Sequence, residues 1–251
     1  MEPLTLSILV FAAFATSVLS AIVGMAGGIV LLSVMLLFMP PLVAIPLHGA
    51  VQLVSNGSRT WIQRDHVERS LVLRYSLLLL PMGFAGLAIA TSLPPSLARA
   101  LIGVFVLLAT WVPGVLTAGL HPERSDRRRR FFVLGGVVGL LNPTVGATGP
   151  LLAPFFLNLG LARQGIIGTK AACQALGHLA KLAVFGVAGF AFASFLSPLL
   201  ILSAAVVAGT WVGSRILGHV SESWFTRLYK GVLTLIALRL VLLELVGFLG
   251  H

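Results

Sequence analysis

Four polar side chains, His48, Gln52, Asn56 and Arg59, stand at i, i+4, i+8 and i+11 inside an otherwise apolar segment. The pattern returns 122 positions later as Lys170, Gln174, His178 and Lys181. This spacing puts each set on one face of a helix. In a chain this apolar, two such faces need a reason to exist.

The surroundings of the two stripes exclude a soluble globule. Apolar residues make up 58% of the 251 and charged residues only 10%, with a mean hydropathy of +1.04, where a soluble domain carries about 25% charged residues. Apolar runs of spanning or near-spanning length, roughly 17 to 25 residues per helix, occur along the whole sequence, so nearly everything lies in or against the lipid bilayer. The formal charge of +10 would suggest nucleic acid in a soluble protein. Here, however, Arg64, Arg69 and Arg74 follow one apolar run, and Arg124 with Arg127 to Arg130 follows another. Basic clusters in short connections fit cytoplasmic loops better than a nucleic-acid surface. The single cysteine, Cys173, excludes an intramolecular disulfide and lacks partners for a cysteine-rich metal site. Leu4 to Val23 is read as a retained first helix, since Glu2 is the only charge before it and no basic n-region is present.

The sequence predicts an all-α polytopic membrane protein with five apolar elements in each half. In the first half they are Leu4 to Val23, Ile29 to Phe38, Pro46 to Ile62, Leu71 to Ser92 and Leu97 to Leu120. In the second they are Phe131 to Val145, Pro150 to Leu161, Gly165 to Phe190, Phe195 to Leu217 and Phe225 to Phe248. The organisation is thus a first membrane repeat over 1–120, a basic cytoplasmic linker over 121–130 and a second repeat over 131–251.

Duplication is readable beyond the stripe. Gly24 and Gly27 of GMAGG align with Gly146 and Gly149 of GATGP at the same offset of 122, and Gln52 aligns with Gln174. Arg99 and Gly103 align with Arg227 and Gly231 at an offset of 128, which implies a short insertion late in the second copy. An odd number of elements per half inverts the two copies in the membrane, a recurrent plan of secondary transporters. Ile29 to Phe38 and Pro150 to Leu161 are short, so the expectation is eight to ten crossings.

The glycine-rich breaks, Gly24 to Gly28 and Asn142 to Pro150, release backbone from helix geometry. Such backbone is tolerated at membrane depth only where it is buried in protein or lines a wet cavity. Half-helices starting near Gly28 and Pro150 would aim N–H groups toward that cavity, which suits an anion.

Two readings stand for each stripe residue. Arg59, Lys170 and Lys181 either snorkel from helix ends or face a cavity, the latter favoured for Lys181 by its mid-segment position. Gln52, Asn56 and Gln174 are either interhelical hydrogen-bond partners or substrate ligands, and the recurrence in register favours ligands for the two glutamines. His48 and His178 are packed rings, hydrogen-bond donors or carriers of a coupled proton. No Asp or Glu lies deep in an apolar segment before Glu244. A carboxylate relay or an oxygen-ligand cation site therefore has no carrier, which together with the basic stripe favours an anionic substrate. The alternative of a metal-ion permease would use His48, His178 and Cys173, and the nearby cations argue against it. No GxxxxGK[ST], HExxH or GxSxG motif is present. The motifs thus give no support to the alternative of an intramembrane enzyme or assembly factor. No cofactor is implied, and no oligomerisation motif is readable.

With its GxxGG break at Gly24, Gly27 and Gly28, the H-G-x-x-Q-x-x-x-N-x-x-R helix from His48 to Arg59, the basic mid-chain loop and the repeated halves, the chain resembles the sulfite exporter TauE/SafE family. The resemblance covers essentially the whole chain. It departs from the usual pattern at Ser33, where proline is frequent, and at Pro150, where glycine is common. It implies a multi-pass permease of a bacterial or archaeal plasma membrane for sulfite, sulfoacetate or similar small anions, with the glycine break and the His48 to Arg59 helix at the site.

Overall fold

The computed structural model describes residues 2–23, 27–117, 126–156, 159–216, 227, 230, 231 and 233–242. Gly24, residues 121–125 of the mid-chain linker and Glu244 lie outside the described residues. Those described form helices and short 3-10 turns, with no strand among them. In chain order the helices are α1 (Pro3–Val23), α2 (Gly27–Met35), α3 (Pro41–Ile62), α4 (Arg69–Ser76), α5 (Leu79–Ser92) and α6 (Pro95–Trp111). They continue as α7 (Arg127–Val145), α8 (Gly149–Leu152), α9 (Arg163–Val187), α10 (Leu196–Ile216) and α11 (Leu233–Leu242).

Local chemistry sets these boundaries. Pro40 precedes α3 and Pro41 opens it, where the missing N–H costs no hydrogen bond. Within the expected Leu71 to Ser92 element the chain instead bends by 43° between α4 and α5. Pro81 sits just past that bend, and its ring denies the Leu77 carbonyl a donor. Pro113 and Gly114 stop α6 at Trp111, short of the expected Leu120. α7 begins inside the basic segment, because the Asp126 carboxylate accepts from the Arg128 and Arg129 backbone N–H groups and caps the helix. Among the described residues of the expected Pro150 to Leu161 element, helix is confined to the short α8, followed by a 3-10 turn, Ala153–Phe156, that contains Pro154.

Unlike a soluble protein, the molecule exposes many large apolar side chains and buries a polar group within its apolar core. Leu4, Phe11, Trp61, Leu73, Val187 and Leu235 are exposed, whereas His48, Gln52, Asn56, Asn142, Lys170, His178 and Lys181 are buried. An apolar exterior around a polar centre is stable where the surrounding solvent is lipid. Among the described residues two helices, Pro3–Ala21 and Phe192–Arg215, are long and apolar enough to cross a membrane, or three if the bent α4–α5 pair is one span. α3, α7 and α9 reach 22, 19 and 25 residues, but their polar and arginine positions lower their hydropathy.

Three helix pairs make the most extensive contacts: α1 with α10, α3 with α9, and α5 with α7. Small residues let two of these pairs approach to backbone contact. A Cβ on Gly86 or Gly135 would overlap main-chain atoms of Leu140 or Tyr75, both across to α7 or from it, and one on Gly209 would overlap Phe14 in the α1–α10 pair. In the α3–α9 pair, Gly49 meets Lys181 and Leu182 while Gln63 meets Gly168, so the two helices run antiparallel. The two polar stripes therefore face one another.

Candidate functional site

The antiparallel crossing of α3 and α9 puts His48 beside His178, their rings 5.7 Å apart and edge to face at 80°. Around them lies a cavity of about 30 Å³, which is far below the roughly 300 to 1,000 Å³ of pockets for larger organic ligands. Its walls come from His48, Gln52 and Arg59 of α3 and from Gln174, Gly177 and His178 of α9. Gly28 of α2, Tyr75 of α4, Asn142 of α7 and the Ala147 to Pro150 break complete them, with Ser20, Ile29 and Val138.

Both breaks press against this cavity. A Cβ at Gly28 would lie 3.2 Å from Gln52 Oε1, and one at Gly149 would lie 3.0 Å from Gln174 Nε2. Each glutamine therefore packs its amide against a glycine of the neighbouring break. α7 ends at Gly146, whose φ of 77° is a left-handed conformation open to glycine at little cost. Gly27 is also enforced: its N–H donates to Ser20 Oγ at 3.1 Å, and a Cβ there would overlap the Thr16 carbonyl.

The breaks engage the stripes through their carbonyls. His48 Nε2 donates to the Gly28 carbonyl at 2.8 Å, which leaves Nδ1 as the acceptor in the neutral ring. Lys181 Nζ donates to the Gly146 carbonyl at 2.8 Å and to Asn142 Oδ1 at 3.3 Å. Asn142 Nδ2 in turn donates to the Gly177 carbonyl at 3.0 Å, tying α7 to α9. The expected row of N–H groups is thinner than the sequence suggests. α8 has only four residues, too few for a useful macrodipole, and one N–H of α2 is already held by Ser20.

Side chains singled out by spacing therefore separate into two groups. His48, Gln52, Arg59, Gln174 and His178 line the cavity, as do Gly28 and Gly149. Asn56, Lys170 and Lys181 stand outside its lining, with Gly27 and Gly146. Asn56 Oδ1 accepts from Arg59 Nη2 at 2.9 Å while its Nδ2 donates to the Gln52 carbonyl at 2.9 Å, so Asn56 orients the guanidinium. Lys170 is buried on α9 instead of extending to the surface. Lys181 is 1% exposed, its ammonium spent on the Gly146 break. Spacing does not single out Tyr75, and it gives Asn142 only as the first residue of a break. The signal for Asn142 is an amide one residue before a proline in an apolar run; Tyr75 carries none that separates it from a core aromatic.

Charge within this region has one sign. Arg59 lines the cavity with Lys170 and Lys181 behind, and none of the lining residues is acidic. Among the described residues no three His, Cys, Asp or Glu side chains group closely enough to hold a metal ion. Cys173 is buried in the apolar cluster of Leu71, Phe131 and Leu151. The geometry suits a small anion, with a guanidinium for charge and two carboxamides for hydrogen bonds.

No curated protein and no solved structure matches the chain. The family model described as Sulfite exporter TauE/SafE matches residues 9–240. On that match, which runs through both polar helices and both glycine breaks, the chain belongs to the sulfite exporter TauE/SafE family.

Proposed function

We propose that the protein is a secondary transporter that exports a small sulfur-containing anion, sulfite or a small sulfonate such as sulfoacetate, through the cavity between α3 and α9. The observation that carries this reading is a buried cavity bearing Arg59, Gln52, Gln174 and His178 with no acidic residue in its lining. Arg59 neutralises the anion, and the two glutamines donate to its oxygens. Lys181 and Asn56 hold the cavity in shape, one bracing the α7 break and the other aiming Arg59. Membership in an exporter family supports transport over enzymatic chemistry. The cationic surroundings also disfavour a metal-ion permease.

Alternating access follows if the halves are inverted copies, and the packing supports that arrangement. Exchanging the halves turns the α1–α10 pair into the α7–α5 pair, and both pairs are built on close glycine contacts. It returns α3–α9 to itself, and in each copy the glutamine packs on a glycine of the neighbouring break, Gly28 for Gln52 and Gly149 for Gln174, one position apart in the register of 122. Rocking one copy against the other would open the central cavity to alternate sides.

Orientation is supported by three tryptophan–cation pairs. Trp61 carries Arg64 at 5.0 Å, Trp211 carries Arg215 at 3.8 Å and Trp111 carries Lys230 at 5.2 Å. Aromatic rings with basic partners are at home at headgroup level, and basic residues accumulate on the cytoplasmic side. The ends of α3, α6 and α10 then lie at the cytoplasmic face of a bacterial or archaeal plasma membrane. From that side an inside-negative potential favours anion exit by about 2.3 kcal/mol per charge per 100 mV.

Thermal melting of the purified protein tests the ligand class, because a ligand that prefers the native state raises apparent stability. Millimolar sulfite or sulfoacetate should raise Tm by several degrees, while a divalent metal chloride at the same ionic strength should not. Stabilisation by the metal alone would remove the anion reading.

A further inference from the structure

The cavity wall contains a fully buried hydroxyl that no hydrogen bond within the protein uses. Tyr75 on α4 is 0% exposed, and its Oη is buried without a hydrogen-bond partner. A buried polar atom left unmade costs about 1 to 3 kcal/mol, so a native position of this kind needs a reason. Its neighbours do not supply the partner. The Asn142 amide is committed on both sides, Nδ2 to the Gly177 carbonyl and Oδ1 to Lys181. Gly177 offers no side chain, and a Cβ there would lie only 3.2 Å from Tyr75 Oη. The missing side chain thus keeps the hydroxyl open to the cavity that Tyr75 lines with Arg59 and His178. His48 Nδ1 and His178 Nδ1 are further buried atoms without a partner on the same wall.

We infer that the Tyr75 hydroxyl is a specificity-determining contact that donates to one oxygen of the transported anion, adding a neutral donor to the charge supplied by Arg59. The inference rests on the anion-transport reading above. A phenol O–H is matched to an oxyanion oxygen and is left unpaired by an occupant without an acceptor there, which is how a polar site rejects the wrong ligand. Tyr75 lies in α4, outside both stripes, so it gives the site a contact from a third helix.

The chemistry separates this role from a structural one. If the hydroxyl awaits a ligand, Tyr75→Phe removes an unsatisfied group. Tm of the substrate-free protein then stays unchanged or rises, while the sulfite concentration needed for half-maximal stabilisation increases about tenfold or more. If the hydroxyl is instead held by a trapped water or another protein group, Tyr75→Phe lowers the substrate-free Tm and leaves the sulfite midpoint in place. That result would overturn the inference while leaving anion transport intact. Failure of sulfite and sulfoacetate to stabilise the native chain would instead remove the underlying reading. Should Tyr75→Phe not be recovered folded, Gly177→Ala carries the test by placing a methyl against Oη. A weakened sulfite midpoint at undiminished Tm supports the inference, and an unchanged midpoint overturns it.

Discussion

Lys181 and Arg59 are both cations on facing polar helices, yet the structure gives them different work. Arg59 is half-buried, held by Asn56 and open to the cavity. Lys181 is fully enclosed and bonded to the carbonyl at which α7 ends. Replacing Lys181 by Met keeps the length of the side chain and leaves the Gly146 carbonyl and Asn142 Oδ1 without their donor. An orphaned buried acceptor costs about 1 to 3 kcal/mol, so Lys181→Met should lower the midpoint of chemical unfolding measurably. An unchanged midpoint would show that the ammonium does not brace the break. The stripe is legible at this scale because helical spacing is written in sequence. The division of roles is not, because it depends on α7, whose Asn142 and Gly146 lie 39 and 35 positions before Lys181.

At the scale of elements, glycine decides how closely the helices approach. Apolar burial alone cannot hold helices together in lipid, where tails are as apolar as leucine, so close backbone packing carries more of the association. Gly86 of α5 meets the α7 backbone at Leu140, and Gly135 of α7 meets the α4 backbone at Tyr75. Gly86→Val or Gly135→Val would force these helices apart and should cost about 1 to 3 kcal/mol or more by overpacking, read as a lower Tm for each variant. Gly57, where an added methyl would meet nothing within 4 Å, is the control that should tolerate Ala. Near-native melting of both Val variants would mean that these contacts of α7 are not stabilising. Most helices are visible in sequence as apolar runs, and the missed features have local causes. Pro81 bends α4 from α5, Asp126 starts α7 within the arginine run, and Pro154 sits in the 3-10 turn that succeeds the four residues of α8. Each is a single residue overriding the hydropathy around it.

The whole molecule combines an apolar exterior, two polar helices facing inward, and a cationic cavity where they meet. The repeated stripe predicts the two walls, and the antiparallel α3–α9 crossing brings them face to face. What sequence does not convey is the third dimension of the cavity. Tyr75 and Asn142 enter from helices that carry no stripe, so their presence depends on how α4 and α7 pack around the central pair. The most direct test is sulfite efflux from proteoliposomes held at an inside-negative potential, with the native chain and with Arg59→Gln. The native chain should release sulfite faster as the potential becomes more negative, and Arg59→Gln should slow release about tenfold or more, the loss of one charge-assisted contact. Native efflux no faster than from protein-free vesicles, or an Arg59→Gln rate equal to the native one, would contradict the account.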